Sequence, residues 1–271
     1  MTIKPAHREK PFFIIYRKGI KGVGLKGRHY FFIEFTLFLI LLGLCVGIFL
    51  KEDAASAAKT ENVETKKICY LTFDDGPSKN TEKVLDILDA YDAKATFFLI
   101  GSEVSEEYRE TLERLIEEGH AVGLHSNVHR FEKLYVNEEA CLKDYEAEYE
   151  KLKLEYGIET KMFRFPGGSA CSYMNGQRKS YIQKMQENGY RCFDWNVSGE
   201  DSFGTPTVWS IQNHVFQDVF KYNEPIILLH DSKISDITVE ALPGILEKLK
   251  EEGYLFKTLE EKEEYVFSWI K

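Results

Sequence analysis

From residue 68 onward, two patterns of apolar positions alternate along the chain. Short apolar runs predict buried strands at residues 68–73, 95–100, 121–124, 162–165, 191–197, 225–229 and 254–258. Between them, apolar residues at helical spacing predict helices at residues 81–91, 106–118, 137–156, 180–188, 208–220 and 242–252. Strand–helix alternation predicts a parallel sheet, which in one domain of about 200 residues is a barrel or an open doubly wound sheet.

The longest apolar run precedes this region. Residues 31–50 read FFIEFTLFLILLGLCVGIFL, with Glu34 as their one charge, and such a run spans the ~30 Å hydrocarbon core as a helix. The basic residues before it predict a cytoplasmic N-terminus and an extracellular remainder, anchored in the cell membrane by a single pass. The alternative is a secreted protein released by signal-peptide cleavage near Ala57.

These patterns divide the chain into four parts. Residues 1–30 are predicted to form a basic cytoplasmic segment, 31–50 a transmembrane signal-anchor, 51–67 a polar linker and 68–271 one globular domain. Residues 1–51 carry a net charge of +7, which leaves −16 for the rest because the whole chain carries −9. A domain this acidic is repelled by nucleic acid, so a neutral or amino-bearing polymer is the expected partner.

The exported part contains four cysteines, at positions 69, 141, 171 and 192, where disulfides can persist. Their spacing contains no CxxC, which argues against a zinc–thiolate site. Their pairing cannot be read from the sequence, and four free buried thiols are an equally open alternative.

Two adjacent carboxylates, Asp74 and Asp75, follow the first predicted strand. The carboxyl end of a parallel strand is where such folds place active sites. Adjacent acids repel unless a cation or a proton separates them, and a metal would let one act as a ligand and the other as a base. The segment Asp-Gly-Pro-Ser is also turn-prone, so this pair alone favours a plain turn.

His125 and His129 follow the third predicted strand with a spacing of four. Histidines at this spacing share one face of a helix and can reach one metal. The zinc-protease motif carries a glutamate after its first histidine, whereas this chain has Ser126, so the base must come from elsewhere and Asp74 is the candidate. Two surface histidines are the alternative for an isolated HxxxH.

Two further strand ends are polar. Arg164 lies on a strand between aromatic residues and needs a carboxylate partner when buried, for which Asp74 is the candidate and another acid the alternative. His230 ends the apolar strand 225–229. A core histidine satisfied by backbone is the ordinary interpretation, but its position favours a general acid.

Five segments in this order resemble the motifs of the polysaccharide deacetylase family, the NodB-homology enzymes of carbohydrate esterase family 4. They are Thr72-Phe-Asp-Asp-Gly-Pro77, His125-Ser-Asn-Val-His129, Arg164-Phe-Pro-Gly-Gly168, Asp194-Trp195…Asp201 and Leu228-Leu-His-Asp231. The resemblance covers about residues 66–260. It implies an α/β fold with a distorted (β/α) barrel and a hydrolase acting on linear amides.

The resemblance also implies a role for each motif residue. Asp75, His125 and His129 would bind one divalent metal, commonly zinc, with cobalt, nickel or manganese as alternatives. Asp74 would be the base acting on a metal-bound water, with Arg164 as its partner, and His230 would be the acid, oriented by Asp201. The residues expected to contact substrate near the acetyl group are Trp195, Leu228, Gly167 and Phe165.

The sequence departs from the family pattern at two positions. Gly167 stands where many members have an aromatic residue, and Ser202 where many have a tryptophan. Both changes reduce the apolar surface near the sugar, so they bear on the substrate and the groove rather than on catalysis.

Three functions compete at this point. A deacetylase facing the cell wall would act on peptidoglycan N-acetyl sugars ahead of chitin or xylan, and on O-acetyl groups as an alternative. A non-catalytic glycan-binding protein would be expected to lack at least one of the five acid, base and ligand residues, yet all are present. The third, an amidohydrolase of small molecules, fits an exported, anchored protein less well.

Overall fold

The computed structural model describes residues 66–268 and, of the region before them, Phe38 alone. The predicted basic segment, membrane span and nearly all of the linker therefore lie outside the described residues, and those assignments stay predictions. Among the residues described, no helix has both the length and the apolar composition needed to cross a membrane.

Within residues 66–268, eight parallel strands form one sheet around a central first strand. They are β1 (Lys67–Gly76), β2 (Ala95–Leu99), β3 (Ala121–Leu124), β4 (Met162–Phe163), β5 (Arg191–Cys192), β6 (Val197–Ser198), β7 (Ile226–His230) and β8 (Tyr254–Phe256). The order across the sheet is β5-β4-β3-β2-β1-β7-β6, and β8 pairs with the start of β1. Strands β2, β3 and β7 are buried along almost their whole length, as expected where both faces of a parallel sheet are covered.

The sheet is curled. Its two edge strands, β5 and β6, are consecutive in sequence and are joined by residues 193–196. Laid flat, seven strands would separate the edges by about 29 Å at ~4.8 Å per strand. The five Cα–Cα steps from Cys192 to Val197 span at most about 18 Å. The edges must therefore approach each other, which gives a barrel left open between β5 and β6.

Helices follow the strands and cover the outside of the sheet. They are α1 (Lys79–Ala90), α2 (Arg109–Glu117), α3 (Phe131–Leu134), α4 (Glu138–Tyr156), α5 (Arg178–Glu187), α6 (Val208–Asp218) and α7 (Asp236–Glu251). Short 3₁₀ turns occupy Glu106–Tyr108, Ser172–Met174 and Val219–Lys221. The longest of the described helices, α4, begins after Asn137, whose side chain accepts from the Ala140 N–H, and ends at Gly157 in the left-handed conformation.

The predicted α/β barrel-like class is confirmed, as are the positions of most elements. The prediction of one strand at 191–197 is wrong, because Asp194 interrupts it. The Asp194 carboxylate is buried and accepts hydrogen bonds from the Ser169 and Phe267 N–H groups, so the chain leaves the sheet between β5 and β6.

The four cysteines of the described region, Cys69, Cys141, Cys171 and Cys192, are all buried and free. Of the two alternatives left open by the sequence, the structure has the free thiols. Burial raises the pKa of Cys69 and Cys192, so both are inert parts of the core.

Candidate active site and metal centre

The site lies at the carboxyl ends of the central strands. Asp74 on β1 is in register with His230 on β7, so these two side chains are neighbours across the strand pair. Both Asp74 and Asp75 approach His125, with Oδ–Nε2 distances of 3.7 and 3.5 Å. Successive side chains of a regular strand point to opposite faces. Here the pairing of β1 with β2 is irregular between Asp74 and Gly76, and Asp75 has φ +74°, which brings both carboxylates to one site.

Asp75, His125 and His129 form a set that fits a metal ion. Their ligand atoms all lie within 4.8 Å of one another, and Asp75 Oδ1 is 3.3 Å from His129 Nε2. Ligands held about 2.0–2.2 Å from a tetrahedral zinc ion are themselves about 3.4 Å apart. Asp75 Oδ1 is buried without a hydrogen-bond partner, a costly state that a cation would relieve.

His125 has the protonation state that a metal ligand requires. Its Nδ1 lies 3.0 Å from the Arg164 carbonyl, which holds the proton on Nδ1 and leaves the Nε2 lone pair facing Asp75. Burial lowers the pKa of His125 to about 4, so the ring is neutral near pH 7.

The prediction that His125 and His129 share a helix face is wrong. The segment that carries them is an irregular loop in which Ser126 and His129 adopt positive φ, +75° and +49°. The two rings nevertheless lie with their centroids 5.0 Å apart, because the loop turns tightly.

Arg164 is fully buried and contacts Asp74, with Nη1 2.7 Å from Oδ1. Nη1 also donates to Thr72 Oγ1, and Nε and Nη2 donate to the carbonyls of Phe193 and Asp194, so every nitrogen of the buried guanidinium has a hydrogen-bond partner. Burial would raise the pKa of Asp74, but the charges of Arg164 and His230 and the hydrogen bond from Arg164 outweigh it and lower that pKa. Asp74 is therefore ionised at neutral pH.

His230 and Asp201 form a second pair. His230 Nδ1 lies 2.8 Å from Asp201 Oδ1, and Asp201 Oδ2 accepts from the His230 N–H and from Thr238 Oγ1. Burial disfavours the charged imidazole, but the hydrogen bond and charge of Asp201 prevail and raise the pKa of His230 to about 9. At neutral pH this side chain carries a proton that it can donate.

Three of the four residues expected to contact substrate lie near this site. Leu228 is two residues before His230 on β7, on the same face of the strand. Trp195 is half-buried, with its ring centroid 5.6 Å from the Arg164 guanidinium carbon. Gly167 is exposed, has φ +76° and lies beside Phe131, whose ring packs against that of His129 with the centroids 5.7 Å apart.

The expected substrate contact of Phe165 is wrong. Its side chain is fully buried and packs against the rings of Tyr135, Tyr145 and Phe163 in the core. An aromatic residue in a motif can serve packing as well as binding, and the sequence did not distinguish the two.

The sequence analysis missed residues that contact Arg164 or the histidine loop without belonging to the site themselves. Thr72 hydrogen-bonds Arg164, and Asp144 and Glu148 contact the loop that carries the two histidines. Glu148 offered a signal, since this acid shares the buried face of α4 with Cys141, Tyr145 and Leu152.

Comparison with known proteins agrees with this geometry. The sequence profile described as polysaccharide deacetylase matches residues 61–193. A peptidoglycan-N-acetylglucosamine deacetylase of Bacillus cereus is 36% identical over 208 residues, which cover 75% of this chain and 73% of that protein. The peptidoglycan-N-acetylmuramic acid deacetylase PdaC of Bacillus subtilis is 31% identical over 221 residues, 79% of this chain and 43% of that protein.

A solved structure gives the same result. The catalytic domain of a peptidoglycan N-acetylglucosamine deacetylase from Eubacterium rectale superimposes with a TM-score of 0.68 at 31% identity. The match covers 76% of this chain and 96% of that domain. The chain therefore belongs to the polysaccharide deacetylase family, the NodB-homology hydrolases of carbohydrate esterase family 4.

Proposed function

We propose that the protein is a metal-dependent hydrolase that removes acetyl groups from the N-acetyl sugars of cell-wall peptidoglycan. The observation that carries the proposal is the convergence of three parts: a cation-binding set, an ionised buried carboxylate and a protonated histidine. The names of the relatives support peptidoglycan as the substrate class. They differ in the sugar, so the proposal covers both N-acetyl sugars of that polymer.

Asp75, His125 and His129 would hold one divalent cation. Zinc is proposed because two imidazoles and a carboxylate, with positions left open, are typical of catalytic zinc sites; cobalt, nickel and manganese are the alternatives. When bound there, the cation would supply Lewis-acid chemistry, polarising the acetyl carbonyl and making a nearby water more acidic.

Asp74 is proposed as the general base. Its Oδ1 is occupied by Arg164, whereas Oδ2 lies 3.7 Å from His125 Nε2 and so borders the cation set. Arg164 keeps the carboxylate ionised and oriented, which leaves Oδ2 to accept a proton from the attacking water.

His230 is proposed as the general acid. As the hydroxyl of water bonds to the acetyl carbon, the bond from that carbon to the sugar nitrogen breaks, and His230 donates its proton to the nitrogen. The products are acetate and a free amino sugar. Asp201 positions the ring and holds it protonated beforehand.

The acetyl methyl is proposed to lie against Leu228 and Trp195, with Gly167 leaving room for the sugar.

Residues 31–50 are proposed to anchor the protein in the cell membrane, with the catalytic domain outside and facing wall polymer. An acidic catalytic region suits a product that bears amino groups.

Acetate release tests the proposal. Zinc-loaded protein is incubated in parallel with peptidoglycan, chitin oligomers and acetylated xylan, with Asp75→Asn protein as the control. We expect the highest kcat/KM on peptidoglycan and no release by the variant. Absence of acetate from all three polymers, with zinc bound, would reject the function; a preference for xylan would reject the substrate class alone.

A further inference from the structure

The loop that carries both histidines has no regular structure of its own. Residues 125–129 lie between β3 and α3, and Ser126 and His129 have positive φ, a conformation that is unfavourable for residues other than glycine. Such a loop keeps one shape only where its surroundings impose it. The neighbouring element is α4, which presents Asp144 and Glu148, one helical turn apart.

Asp144 reaches His129 through a single intermediate atom. Its Oδ2 accepts from Ser126 Oγ at 2.6 Å and from the Asn127 N–H at 2.7 Å. Ser126 Oγ in turn accepts from the His129 N–H at 3.0 Å. The carboxylate therefore fixes the hydroxyl that holds the backbone of the second histidine.

The same helix holds the first histidine. Glu148, which is fully buried, accepts a second and longer hydrogen bond of 3.3 Å from the His125 N–H, which also donates to the Leu99 carbonyl at 2.8 Å. Tyr145 donates its hydroxyl to the Arg164 carbonyl at 2.8 Å, the same oxygen that contacts His125 Nδ1. Three side chains of α4 thus contact the backbone or side-chain groups that hold the two histidines in place.

We propose that α4 sets the separation of the two imidazoles, with Asp144 as the positioning residue for His129 through Ser126, and Glu148 for His125. This inference rests on the cation site of the proposed function. Groups that orient metal ligands typically contribute 10–100-fold to metal affinity. Because one oxygen of Asp144 accepts both hydrogen bonds, an asparagine amide oxygen can replace it, whereas alanine cannot.

Zinc affinity of the full chain tests the inference, measured by competition with a chelator and without substrate. Asp144→Ala is expected to bind zinc 10–100-fold more weakly, and Asp144→Asn to stay within a few-fold of the unmodified protein. Glu150→Gln, which changes an exposed carboxylate of the same helix, is the matched control and is expected to have no effect. Ser126→Ala removes the hydroxyl that joins Asp144 to His129 and should weaken zinc binding by a similar factor, which tests the inference by a second route should Asp144→Ala fail to fold.

Equal zinc affinity in Asp144→Ala and the unmodified protein would overturn the inference. So would an equal loss in Glu150→Gln, or a loss in Asp144→Asn as large as in Asp144→Ala, since each would point to charge rather than to the hydrogen bonds. Because zinc binding is read without substrate, a protein that binds zinc but releases no acetate contradicts the proposed function and leaves this inference standing.

Discussion

The pair formed by Asp201 and His230 gives the most quantitative prediction. Asp201→Asn removes the charge that stabilises the imidazolium but keeps the size of the side chain. The pKa of His230 is about 9 beside the Asp201 hydrogen bond and charge, which outweigh burial, against an ordinary value of 6.5. Without that charge, Asp74 and Asp75 still raise the pKa against burial, and the pKa should fall from about 9 toward the ordinary value of 6.5. At about 1.36 kcal/mol per pKa unit, this loss is roughly 3 kcal/mol.

An NMR titration of the metal-free protein measures this directly, through the ring proton signals of His230. Asp236→Asn, an exposed carboxylate at the start of α7, is the control and should leave the His230 pKa unchanged. A His230 pKa that stays near 9 in Asp201→Asn would refute the reasoning. In the metal-loaded enzyme, the cation's charge lowers this pKa, so the alkaline limb of kcat/KM should lie below pH 9 and move lower still in the variant.

The same pair makes stability depend on pH with a definite sign. A raised pKa in the folded state means that the charged His230 stabilises the fold fully below about pH 6.5 and that this contribution disappears as the pH rises through 9. Urea unfolding of the metal-free protein at pH 6 and pH 9.5 should show this loss, and Asp201→Asn should show a smaller difference.

Three further predictions follow from the site and the chain. Asp74→Asn should keep its metal yet lose at least ~10²-fold in kcat, while Asp75→Asn should lose the metal; equal metal loss in both, by elemental analysis, would reverse the division of roles. Gly76→Ala places a Cβ 2.6 Å from buried Asp231 Oδ2, which should cost about 1–3 kcal/mol; an unchanged thermal midpoint would contradict this. N-terminal sequencing of the exported protein should find residues 31–50 retained, and a mature chain beginning at Ala58 would contradict the anchor.

The sequence predicted what depends on local pattern. Apolar runs were enough to predict the strands. The carboxyl ends of parallel strands meet at one edge of the sheet, so the polar residues there could be predicted to form a site. They are Asp74, Asp75, His125, Arg164 and His230. The partner of Arg164 was also predictable, since a buried guanidinium requires a carboxylate.

The rest depended on tertiary structure. The i, i+4 spacing of the histidines suggested a helix, yet hydrogen bonds from α4 impose a tight loop instead. Residues 137–156 were predicted as a helix, and Glu148 shares a face with apolar residues of that helix. Only the tertiary structure shows that this acid contacts the loop of His125. Phe165 was expected to contact substrate because the family resemblance includes its motif, but the aromatic cluster around it places it in the core.

The dependence of acetate release on bound metal tests the central claim most directly. The protein is stripped with a strong chelator, verified by elemental analysis, and reloaded with measured amounts of zinc or cobalt. We expect no acetate release from peptidoglycan without metal, and a rate that rises with bound metal to a maximum at one ion per chain. Full activity in protein shown to contain no metal would contradict the account.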